Sequence, residues 1–105
     1  MSLNIRDGDE LTIDGKTYPI ARAPKWEGAS MNTIAFRRRL IHDCVVTRSV
    51  KGLKSTVFTG KCTAFDPVEP DLKRRMQIES PFTVKQTFIA DSGEFVQLFV
   101  EDIVR

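Results

Sequence analysis

Residues that carry chemistry are scarce in this chain of 105 residues: one histidine, two cysteines, one tryptophan and one tyrosine. A serine or cysteine nucleophile needs a neighbouring base, and there is a single imidazole to supply it. No Gly-x-Ser-x-Gly, no Cys-x-x-Cys and no phosphate-cradling glycine loop occurs. An enzyme built on carboxylates alone is open to residues such as Asp66, Glu69, Asp71 and Glu79, which fit better as the solvated charges of a proline-bearing loop. No enzyme activity and no cofactor are therefore expected. Long apolar runs are also missing, so no transmembrane helix is expected, and no apolar h-region stands near the start, so no signal peptide is expected. Nor does one sign of charge dominate. Lys and Arg number 16 against 14 Asp and Glu, a net charge of +2, too small an imbalance to imply nucleic acid or a membrane surface by itself. Two cysteines make no disulfide framework, which points to a cytoplasmic home with reduced thiols.

What is present reads as strands. Asp14-Gly15 sits between two alternating runs, the strongest local sign of a hairpin. A two-residue turn there pairs Ile13 with Lys16, Thr12 with Thr17 and Leu11 with Tyr18, so that Leu11, Ile13, Tyr18 and Ile20 share one face. Pro19 cannot donate to a ladder, which suggests that the second strand is an edge or leaves the sheet there. Residues 21–30 read as a loop in which Trp26 is either an anchor onto the core or an exposed contact; the anchor is preferred. Residues 31–41 fit a helix or a strand, and an extended arm feeding the next strand is preferred. Residues 44–50 are a strand, a turn follows around Gly52, and residues 55–65 return, with Gly60 marking a bulge or a close approach. Residues 66–76 break the pattern, and Pro70 is placed to start one or two helical turns. A second hairpin closes the chain. In it Phe82, Val84, Phe88 and Ala90 alternate with polar positions, and residues 95–104 return with Val96, Leu98 and Val100 opposite Phe95 and Phe99. A strand apolar on both faces needs cover on each side or lies at an interface.

These elements predict a single all-β domain over residues 1–105 with minor helix, a small antiparallel β-barrel or sandwich with one or two long loops. The expected core joins Leu11, Ile13, Tyr18 and Ile20 to Val84, Phe88, Val96, Leu98 and Val100.

Two constellations have a functional reading. A three-residue turn at Gly52-Leu53-Lys54 would set Cys44 opposite Cys62, with His42 two residues along. Zinc needs a fourth ligand in tetrahedral geometry, and the preferred reading is two small core cysteines without metal, a cross-strand disulfide being the other option. The basic runs Arg37-Arg38-Arg39 and Lys73-Arg74-Arg75, joined by Arg48, Lys51, Lys54 and Lys61, would meet phosphates if they shared a surface. Trp26, Phe36 or Phe58 would then be available to stack bases.

Gly8-Asp9 running into Leu11-Thr12-Ile13-Asp14-Gly15-Lys16-Thr17-Tyr18-Pro19-Ile20 resembles the opening of the small β-barrel head–tail joining proteins of tailed phages and prophages. The resemblance implies a structural, non-enzymatic protein of virion assembly, working through ring formation and loop contacts. It implies protein partners in a ring, and a place in the host cytoplasm and then in the virion. Residues 21–30 and 66–76 would be its loops. Trp26, Arg37, Arg38, Arg39, Lys73, Arg74, Arg75, Phe95 and Phe99 are the candidate contact residues. A nucleic-acid-binding module using the two basic runs is the alternative.

Overall fold

The first hairpin forms as its turn chemistry dictates. In a computed structural model, which describes residues 5–22, 38–91 and 94–103, β1 (Glu10–Ile13) and β2 (Lys16–Arg22) pair antiparallel with Ile13 opposite Lys16 and Leu11 opposite Tyr18. Asp14 and Gly15 both take positive φ, 51° and 78°, the backbone of a type I′ turn, which matches the twist of the strands. The Thr12 and Thr17 hydroxyls meet across the outer face at 3.0 Å. Strand β2 runs on through Ala21 and Arg22, which correct the expected start of the loop; residues 23–30, with Trp26, lie outside the described residues.

Seven strands and one short helix follow one another as β1, β2, β3 (His42–Val50), β4 (Leu53–Cys62), β5 (Asp66–Pro67), α1 (Pro70–Arg75), β6 (Val84–Asp91) and β7 (Glu94–Glu101). Their order in the sheet is β4-β3-β1-β2-β7-β6-β5, and β4 also meets β6. Six strands therefore close into a barrel, with β5 added on β6. Closure is narrow: the bridge between β4 and β6 is Cys62 opposite Ile89. Beyond it the chain stays on the β6 edge, with Thr63 N–H donating to Phe88 O at 3.0 Å and Asp66 opposite Gln86. The return strand thus ends at Cys62 and not at Phe65. Pro19 is no edge residue, since β2 lies between β1 and β7. By ladder alternation the Glu10–Pro19 pair is one without hydrogen bonds. The proline nitrogen faces β7, whose pairing with β2 starts at Ile20 and is irregular.

The barrel interior is filled by Leu11, Ile20, Val46, Ile89, Leu98 and Val100 with both cysteines, each at most 2% exposed. The expected inward face of β6 is corrected. Val84 and Phe88 point away from this interior, and Thr87 and Ile89 occupy it. Register decides this, since Ile89 lies opposite Val96 and Thr87 opposite Leu98. A buried threonine is tolerated because its hydroxyl donates to Thr63 O at 2.7 Å, which satisfies a group that would be costly if left unpaired.

A second layer explains the strand that is apolar on both faces. Phe99, on the outer face of β7, packs with Ile78 and Val84 under Leu72 and Met76 of the helical segment. At 1% exposure its side chain contributes about 2–3 kcal/mol of burial. Phe99 therefore belongs to the fold and is not the exposed contact expected of it. The side chain of Phe95 lies outside the described residues.

Candidate interaction surface

The longest hairpin projects from the barrel. Nine pairs join β3 to β4, from His42 opposite Cys62 to Val50 opposite Leu53. Its turn is Lys51-Gly52, with φ of 51° and 79°, a two-residue turn where three residues were expected. The register slips once, between Val46 and Thr47, so that Val57 is the extra residue on β4. Cys44 consequently faces Gly60 across the ladder, and His42 faces Cys62, which corrects the expected alignment. Gly60 does mark a close approach. The Phe58 ring folds over it, and a Cβ built there would stand 2.6 Å from the ring.

The far end of this ribbon is solvated on both sides: Ser49, Val50 and residues 51–56 are exposed. Val50 and Leu53, directly opposite each other, are 55% and 77% exposed. The sequence reading missed this pair, although a signal was present. Apolar residues on both sides of a two-residue turn stand at a hairpin tip, where a barrel interior cannot cover them.

Both cysteines are free and buried. Their thiols share a hydrogen bond. The Cys44 thiol is pushed up by that bond to Cys62 and by burial. The bond from Cys44 pulls Cys62 down against the effect of burial. Among the described residues no three metal-binding side chains gather.

The basic runs are only partly available. Arg37 lies outside the described residues. Arg38 and Arg39 form an exposed turn, followed by Leu40 and Ile41 outside any strand, so the expected arm does not extend β3 backwards there. Arg39 reaches Asp66 at 3.5 Å. In the second run, Lys73 Nζ donates to Ser80 O at 2.5 Å and Phe82 O at 3.2 Å, and Arg74 pairs with Asp71, while Arg75 is exposed. Arg48 is held by Asp9.

Helix α1 begins with Pro70 in its first turn, and its last turn is basic, which suits the helix dipole. Arg22 of β2 caps its far end, donating to Met76 O at 2.5 Å. No described helix is long and apolar enough to cross a membrane.

No family model, curated protein or solved structure matches this chain. The surface is therefore read from its own chemistry: an apolar pair at a projecting tip, lysines along one strand, and arginines of which several are committed to local structure.

Proposed function

We propose that this protein is a non-enzymatic assembly component that works by contact with other proteins. We place that work at the head–tail joint of a tailed phage or prophage, in the host cytoplasm and then in the virion. The observation that carries the contact reading is the exposed Val50–Leu53 pair on a ribbon that projects beyond its own core. Apolar side chains paired at a tip give a partner something to bury, at about 25 cal/mol per Å² removed from water. The head–tail assignment is supported by the resemblance of the Gly8-to-Ile20 hairpin. A ring there joins two different patches of neighbouring copies, one of them the projecting tip. The nucleic-acid alternative draws less support, because Arg48, Lys73 and Arg74 are engaged within the chain.

The test is the double variant Val50→Ser, Leu53→Ser in an assembly assay with portal-bearing heads. The thermal midpoint is expected to stay near that of the parent, since both side chains are exposed, while joining of heads to tails fails. Full assembly by the double variant, or salt-sensitive nucleic-acid binding at physiological ionic strength, overturns the reading.

A further inference from the structure

We propose that the outer edge of β4, from Leu53 to Lys61, is a strand-addition site for an extended peptide of a partner protein that alternates acidic and apolar residues. The proposal deepens the protein-contact reading and rests on it; the edge begins at the tip residue Leu53 and extends the contact along the backbone of β4.

Topology supplies the first argument. β4 pairs with β3 along its length, Val57 apart, and pairs with β6 only at Cys62. The β6 edge past Ile89 is then taken by residues 63–68. Among the described residues, the side of β4 away from β3 carries no strand from Leu53 to Lys61. The Val50–Leu53 pair flanks a two-residue turn and is hydrogen-bonded, so alternation makes the Lys54 and Thr56 pairs the ones without hydrogen bonds. The N–H groups of Lys54 and Thr56 therefore point outward, away from β3. An edge of this kind is a template for another strand, and a ribbon of two strands gains stability from a third.

Side chains decide what that strand must be. The register places Lys54 opposite Ser49 and Lys61 opposite the exposed Asp43, on the outer face. Leu53, opposite Val50, and Phe58, opposite the buried Val46, lie on the inner face. β4 has two lysines and no carboxylate. Lys54 already stands 3.9 Å from Glu10 of β1, a long pair with the lysine 63% exposed; an incoming strand with Glu or Asp at alternate positions meets Lys61 and shares Lys54, and its other positions cover Leu53 and the half-buried Phe58. A second copy of this chain is disfavoured. Two-fold antiparallel pairing centred on the whole of β4, Leu53–Cys62, sets Lys54 opposite Lys61 twice, and like charges directly opposite are destabilising.

The experiment titrates the full chain, labelled with ¹⁵N, with a blocked peptide of alternating Glu and Val, and in parallel with one of alternating Lys and Val. The Glu–Val peptide is expected to shift and protect amides of residues 53–61. Thr56→Pro removes an outward N–H and leaves the β3 ladder intact, and is expected to weaken binding roughly tenfold, the worth of one backbone hydrogen bond. Lys54→Glu with Lys61→Glu leaves the backbone as it is and is expected to reverse the preference to the Lys–Val peptide. Perturbation confined to other strands, equal binding by both peptides, unchanged binding by Thr56→Pro, or self-association through β4 each overturns the proposal. Assembly separates the two readings. If Thr56→Pro assembles normally and the Val50→Ser, Leu53→Ser variant does not, the edge proposal fails and the contact function stands.

Discussion

Asp9 grips Arg48 with both carboxylate oxygens: Nε donates to Oδ1 and Nη2 to Oδ2, each at 2.9 Å. The same carboxylate accepts the Arg6 N–H at 2.9 Å, and the Asp9 carbonyl accepts Ile20 N–H at 2.7 Å. One residue thus ties the lead-in turn to β2 and to β3. Bidentate pairs of this kind are among the stronger polar contacts.

The first prediction follows from that pair. Burial pushes the Asp9 carboxyl up, but the hydrogen bonds from Arg48 and from the Arg6 N–H, with the charges of both arginines, outweigh it and hold the carboxyl below its ordinary value. A depressed carboxylate contributes stability that is fully present above its unfolded value, about 3.9, and is lost as pH falls through the lower folded value. Asp9→Asn is expected to cost about 2 kcal/mol at neutral pH and to flatten the acid limb of the stability curve. Urea unfolding at a series of pH values from neutral down to the acid transition checks both parts.

Gln77 ends α1 in the left-handed region, with φ of 55°. Its N–H donates to Arg74 O and that of Ile78 to Lys73 O, each at 3.1 Å, which is the Schellman arrangement with glutamine in the position glycine prefers. Gln77→Gly is therefore expected to stabilise the protein by about 1 kcal/mol. A fall in the thermal midpoint would count against this helix end.

Phe58 and Gly60 form a matched pair, since the ring occupies the space a Cβ would need. Gly60→Ala is expected to expel the ring from the barrel side and cost roughly 1–3 kcal/mol. Phe58→Ala should suppress that cost in the double variant, because the two residues share one contact. Additive losses in a double-mutant cycle would show that the ring does not sit over Gly60 in solution.

The thiols provide a fourth prediction. Cys44 and Cys62 are at most 2% exposed, so a thiol reagent is expected to count two groups in denaturant and to react with the native protein only at the rate of its opening. Fast native labelling, or one bound zinc per chain with His42 as a ligand, would contradict the buried thiol pair.

Local chemistry by itself determined much of this protein. Asp14-Gly15 set the register of β1 and β2, because a two-residue turn leaves one way to pair the flanking strands. Pro70 set the start of α1, because its ring suits the first helical turn and lacks only an N–H that has no intrahelical partner there. The scarcity of histidine and the spacing of the cysteines were also plain, as was the position of both basic runs. Tertiary structure alone decided which face of β6 is inside. Val84, Phe88 and Ile89 leave both faces apolar, and the choice falls to the register with β7, the Thr63 carbonyl satisfying the buried Thr87 hydroxyl across 24 residues of chain. It also decided that Phe99 is covered by α1 and needs no partner, that Lys73 spends its charge on two carbonyls, and that β4 leaves β3 for β6 at Cys62. Among the described residues no strand pairs with the outer edge of β4 before that point. These outcomes depend on pairings between segments distant in sequence. Their free energy is the balance of mutual packing against the entropy of loop closure, and neither leaves a local pattern in the residues that take part.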